Sequence, residues 1–205
     1  MRLKSLLTPL SLVLLAAPAM AQSSSTATAN IGVRILRPLV ITKTLDMEFG
    51  TIVTTDDGSG GTTVGTVVLA PDSSRSVTGG AVLLGTQGGP VAAAPQAATF
   101  TVKGSAGRGY NITLAANTVT LKHTSLATTL TVGTFRGSLN GGAAFALSTT
   151  AASKTLTGTF PGLTTDTLTV GGTLTLPATA STGLDDGDYT AAANSTSLSV
   201  TVAYN

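Results

Sequence analysis

Apolar and polar residues alternate along most of the chain. Ile31, Val33 and Ile35 fall on one side of an extended segment, with Gly32 and Arg34 on the other. The period of two returns at Phe100 and Val102, then at Tyr110, Ile112 and Leu114, and at Val119 and Leu121. It continues at Leu130 and Val132, and closes the chain at Leu198, Val200, Val202 and Tyr204. Successive side chains of a strand point to opposite faces, so this period predicts half-buried β-strands. Further strands are expected at Val64 to Leu69, Ala81 to Leu84, Leu156 to Phe160 and Leu168 to Leu176. No stretch carries the 3.6-residue stripe of an amphipathic helix.

Turn-forming residues separate these runs. Pro71-Asp72, Gly79-Gly80, Gly88-Gly89-Pro90, Gly141-Gly142 and Pro161-Gly162 stand between them, and such clusters supply the backbone angles that tight turns need. Short strands at this spacing, about 10 to 15 residues apart, predict an all-β fold, an antiparallel β-sandwich or barrel, of which the sandwich is the expected form. Pro38 has no N–H to give a ladder, so it marks an edge or a bulge.

Composition sharpens the picture. Threonine fills 39 of the 205 positions and glycine 24, which favours extended chain and turns over helix. With no cysteine there is no disulfide scaffold and no thiol nucleophile. One histidine, His123, excludes a two-histidine metal site. Charged residues make up 10 % of the chain and are thinly spread, so no nucleic-acid surface is expected.

The N-terminus reads as a secretory signal. Arg2 and Lys4 are followed by a short apolar run and by Ala19-Met20-Ala21, the small-x-small pattern of a cleavage site. The predicted division is a signal peptide over 1–21, a flexible leader over 22–30 and one β-sandwich domain over 31–205. Neither the signal run nor any later segment is long enough for a transmembrane anchor. Removing Arg2 and Lys4 leaves nine basic against nine acidic residues, so the mature chain carries no net charge. A neutral, Thr-rich surface repels copies of itself weakly. The protein is expected in the periplasm, at the cell surface or outside the cell.

Chemistry-bearing residues are few. Asp185, Asp186 and Asp188 are a weak calcium candidate, because hard cations want several carboxylate oxygens together. The distal glutamate of a full calcium loop is missing, and a polar turn before Tyr189 explains the same residues. Asp56-Asp57 reads the same way. Glu48 is the only glutamate, and alternation places it outward. A glycosidase needs two carboxyls across one cleft, and nothing marks a second. His123 lies near Ser125, yet a surface residue at a strand end accounts for it. Gly58-Ser59-Gly60-Gly61 lacks the Lys-Ser/Thr ending of a phosphate loop. No cofactor site and no catalytic residue emerge, so a non-catalytic protein is expected.

Several motifs carry a resemblance. They are Leu45-x-x-x-Phe49-Gly50-Thr51-Ile52, Ala98-x-Phe100-x-Val102-x-Gly104, Val170-Gly171-Gly172-x-Leu174, Gly187-x-Tyr189 and Val200-x-Val202-x-Tyr204. In this order the chain resembles the bacterial exported family called domain of unknown function (DUF) 4402, or DUF4402. The resemblance implies an all-β, Ig-like or pilin-like exported domain and assigns no catalytic residues.

The two alternating termini are the candidate assembly strands. Ile31, Val33 and Ile35 at one end, and Leu198, Val200, Val202 and Tyr204 at the other, pair either within their own domain or with a neighbour by β-strand addition. The expected function is therefore an exported pilin-like or cell-surface structural subunit, with copies of itself or related subunits as partners. The alternative is a monomeric adhesin or a carbohydrate- or ligand-binding module.

Overall fold

A computed structural model describes residues 24–54, 65–176 and 184–205. The predicted signal peptide, Asp56-Asp57 and the loop Gly58 to Gly61 lie outside the described residues. The chain divides into two units, one ending at Arg34 and a compact domain over Ile35–Asn205. Residues 24–34 carry no strand, and each of them is exposed.

The domain is all-β and antiparallel, with no α-helix among the described residues. In chain order its strands are β1 Val40–Leu45, β2 Ile52–Thr54, β3 Gly65–Leu69, β4 Arg75–Gly79 and β5 Ala81–Leu83. Then come β6 Ala98–Ser105, β7 Gly109–Leu114, β8 Thr118–His123, β9 Thr129–Leu139 and β10 Phe145–Ala146. The last are β11 Ala152–Thr155, β12 Leu163–Leu176, β13 Tyr189–Thr190 and β14 Val200–Tyr204. A 3-10 turn at Ala192–Asn194 precedes β14.

The large sheet runs β1-β6-β12-β9-β8-β13, with β3 and β4 added through β12 and β10 through β9. The opposing strands form a three-stranded sheet, β11-β7-β14, and a two-stranded one, β2-β5. Inward side chains from all of them build one core. Val67, Val102, Tyr110, Ile112, Leu168 and Val170 have no exposed area. Burying an aliphatic side chain of this size contributes roughly 1.5 to 3 kcal/mol over leaving it in water.

The 14-residue strand β12 organises the large sheet. One edge pairs with β6 over Leu163 to Val170 and then with β3 over Gly172 to Leu176, while β9 takes the other edge. The change of partner falls at Gly171-Gly172, where the register with β9 also shifts. A Cβ at Gly171 would lie 2.1 Å from the Leu69 carbonyl oxygen, so only glycine admits this approach.

Two expectations differ from the structure. The alternation at Ile31, Val33 and Ile35 forms no strand; the first strand starts at Val40, beyond Pro38. A strand needs a partner for its backbone groups, and among the described residues no ladder includes residues 31–35. The run Leu156 to Phe160 is not a strand either. Leu156 is buried, but Gly158 takes φ +84° and turns the chain, and the paired segment lies just before it in β11.

Candidate functional site: an apolar cleft between the layers

The second layer does not cover the large sheet evenly. A cleft of about 780 Å³ opens over its inner face. Among the described residues its floor includes Phe100 on β6, Val119 and Leu121 on β8, Val132 and Phe135 on β9, and Leu174 on β12. The residues around 46–54 flank one side and those around 184–198 the other. Leu45, Val53 and Val91 also line the cleft, with 46 %, 45 % and 47 % of their surface exposed. The floor is apolar, while Asp46, Asp185, Asp186 and Asp188 stand among the flanking residues.

Glu48 holds one flank together. It is 5 % exposed, which corrects the expected outward placement. Its Oε1 accepts the N–H of Gly50 at 2.9 Å and its Oε2 accepts the N–H of Val91 at 2.9 Å. The backbone of Glu48 forms an isolated bridge with Gln96, so the chain here has left the alternation of β1. Arg75 braces the same flank by donating to the carbonyls of Phe49, at 2.8 Å, and Gly85. Nothing in the sequence pattern marks Arg75, because both of its acceptors are backbone atoms.

His123 holds the other flank. It ends β8 as expected, but it is buried, at 6 % exposure, and not a surface residue. Its Nδ1 accepts the N–H groups of Ser125 and Leu126 at 3.0 and 2.9 Å. With Nδ1 an acceptor, Nε2 is the donor, and it lies 3.0 Å from the Asp186 carbonyl oxygen. Tyr189 meets the imidazole edge to face, with centroids 5.1 Å apart. Gly187 takes φ +141°, and a Cβ there would lie 2.3 Å from His123 Nε2. Both ring nitrogens are thus engaged by backbone, an arrangement that fastens a turn and leaves no base facing a hydroxyl.

Asp185, Asp186 and Asp188 lie along the cleft beside this histidine. The Asp185 carboxylate accepts the Thr128 hydroxyl, and its carbonyl accepts the Tyr189 hydroxyl at 3.0 Å. The Asp188 carbonyl accepts the N–H of Thr124 at 2.9 Å. Among the described residues no three acidic or imidazole side chains gather as a metal site. Burial above all pushes the Tyr189 hydroxyl above the usual tyrosine value, and the Asp185 and Asp186 carboxylates push the same way against its hydrogen bonds.

The candidate assembly residues separate. Val200, Val202 and Tyr204 lie in β14, which pairs with β7 of the same domain, Val200 opposite Leu114 and Tyr204 opposite Tyr110. Leu198 precedes that strand and lines the cleft. Ile31, Val33 and Ile35 are 99 %, 88 % and 82 % exposed. No helix of the described residues is long and apolar enough to cross a membrane.

Antiparallel sheets stacked about one core, with an apolar cleft between the layers, define an all-β domain of the sandwich class. Residues 39–204 match a family described as a domain of unknown function, DUF4402, and the chain belongs to that family. No curated protein and no solved structure matches the chain.

Proposed function

We propose that this protein is an exported, non-catalytic structural subunit that assembles at the cell surface by β-strand addition. The observation that carries this reading is the exposure of Ile31, Val33 and Ile35, three apolar side chains at alternate positions ahead of the first strand. Exposed alternating apolar residues fit an edge or groove supplied by another chain. Strand β1 pairs only with β6 among the described residues, so its outer edge is the competing acceptor. The signal-like N-terminus supports export, and the engagement of Glu48 and His123 in backbone hydrogen bonds supports a role without catalysis.

The test is assembly. Electron microscopy and sedimentation of the full chain should show concentration-dependent oligomers or fibres. The triple variant Ile31→Asp, Val33→Asp, Ile35→Asp should remain monomeric with an unchanged unfolding transition. A strictly monomeric parent at high concentration would end this reading.

The cleft favours a second reading, a monomeric binding module for an apolar ligand. Pockets of roughly 300 to 1,000 Å³ accommodate such molecules. Equilibrium binding of an environment-sensitive apolar dye, lost on Leu121→Asp, would promote it.

A further inference from the structure

We propose that the apolar cleft is the acceptor for residues 31–35 of a second copy of this chain. The inference rests on the assembly reading above and names its two contact surfaces. The donor side is fully specified by sequence and exposure: Ile31, Val33 and Ile35 share one side, Gly32 and Arg34 the other. Three alternate side chains span about 13 Å of extended chain. The floor runs about 17 Å along β9 from Leu130 to Phe135, and about 14 Å across the four strands β6, β12, β9 and β8. The segment fits that floor with its apolar side chains inward.

Charge agrees with this placement. The segment carries Arg34 and no acid. Among the described residues the cleft is lined by Asp46, Glu48, Asp185, Asp186 and Asp188 against one lysine, Lys43, which already pairs with Asp46 at 2.6 Å. Inserted with Ile31, Val33 and Ile35 down, the segment turns Arg34 outward, the side on which Asp186 and Asp188 are exposed.

Covalent reach keeps the segment from seating all three side chains in its own cleft. Arg37 is fixed at the far end of β6: its N–H donates to Ser105 Oγ at 2.8 Å, and its carbonyl accepts the Tyr204 hydroxyl at 2.9 Å. Ile35 stands two residues from that anchor, so its backbone reaches at most about 7 Å. Phe100, where β6 enters the cleft, lies five residues from Ser105 along the strand, about 17 Å away. Ile35 therefore cannot enter the cleft of its own domain, and a segment with all three apolar side chains seated must come from another copy. A donor at one site and an acceptor at another make a head-to-tail contact, which propagates as a ring or a filament.

Paired cysteine substitution tests this in a chain that has no cysteine of its own. Val33→Cys with Leu121→Cys, in the full chain under mild oxidation, should give a ladder of disulfide-linked oligomers, with positions 33 and 121 joined between copies. Val33→Cys with Thr42→Cys probes the β1 edge instead and should give no ladder. Sedimentation of the parent chain is read beside both. A ladder only with Thr42→Cys, or parent oligomers with no 33–121 link, overturns the cleft as acceptor and leaves assembly standing. A 33–121 link within one monomer overturns the second copy as donor. A monomeric parent with no ladder removes both ideas together. Should Leu121→Cys disturb folding, Leu45→Cys at the cleft mouth replaces it. Adding Ile31→Asp and Ile35→Asp to the linked pair should abolish the ladder, because these exposed residues lie outside the core.

Discussion

The hydroxyl of Tyr204, the penultimate residue, donates to the carbonyl of Arg37 at 2.9 Å. The same oxygen accepts the N–H of Ser105 at 2.8 Å. One side chain of β14 thereby joins the entry to β1 and the end of β6. Ser105 Oγ takes the N–H of Arg37, so both backbone groups of Arg37 are satisfied by residues of other strands. The approach is close: a Cβ on Gly104 would lie 2.6 Å from that phenolic oxygen.

Tyr204→Phe should therefore loosen the start of β1 while leaving the ladder between β14 and β7 in place. Ser105 is 2 % exposed, and its N–H would be left without a partner. The expected loss is about 1 to 3 kcal/mol. Denaturant unfolding reads the loss, and hydrogen exchange at the amides of Arg37 and Ser105 should accelerate before that of β7. Unchanged exchange at both amides would show that the tyrosine is not the anchor.

Gly171→Ala should be among the most damaging substitutions of the sheet. The new Cβ would meet the backbone oxygen of Leu69 at 2.1 Å, and a backbone atom cannot swing aside like the end of a side chain. Relief requires β3 to move away from β12, taking β4 with it. The expected loss is about 3 kcal/mol, the upper end for overpacking. Protease sensitivity should rise first near residues 65–79. A variant as stable as the parent would refute this close approach.

His123→Ala should destabilise by about 2 kcal/mol, because the N–H groups of Ser125 and Leu126 lose their shared acceptor and Asp186 loses a donor. The change should spread to Tyr189, which stacks edge-on against the imidazole. Tyrosine fluorescence together with exchange at Ser125 and Leu126 reads both effects. A variant with normal stability and exchange would mean that the ring does not fasten this turn.

The strands most legible in the sequence are those whose inward positions are all apolar. In β7, Tyr110, Ile112 and Leu114 are 0 %, 0 % and 4 % exposed, as the alternation predicts. Strand β4, Arg-Ser-Val-Thr-Gly, escaped notice because it is a mostly exposed edge with no apolar rhythm. Residues 31–35 show the converse: perfect alternation without a strand, since period two specifies a face and not a partner. The cleft had no local signature. Its flanks come from residues 46–54 and 184–198, far apart in sequence, and two of the residues bracing them sit elsewhere than local pattern places them. Glu48 turned inward because its carboxylate binds Val91, and His123 because its acceptor is Asp186; these partners lie 43 and 63 residues away.

Tyr110 supplies the last prediction, and its sign is unusual. The side chain has no exposed area, and among the described residues its hydroxyl meets no hydrogen-bond partner. A buried unpaired hydroxyl destabilises the folded state, so removing it should help. Tyr110→Phe is expected to raise stability by about 1 kcal/mol at neutral pH. Burial foremost, with the Asp166 carboxylate second, also pushes the Tyr110 hydroxyl well above its ordinary value. An unfolded tyrosine ionises near pH 10, before the folded one does. The unfolded state therefore binds fewer protons above that pH, and stability falls as pH rises through the interval. Below about pH 10 both states are neutral and this group adds no slope. Above it the parent should lose up to about 1.4 kcal/mol per pH unit from Tyr110, a component that Tyr110→Phe lacks. Tyr189 is raised in the same direction and leaves a residual slope in the variant. Urea unfolding of both proteins at neutral and strongly alkaline pH reads the difference, and parallel pH profiles would refute it.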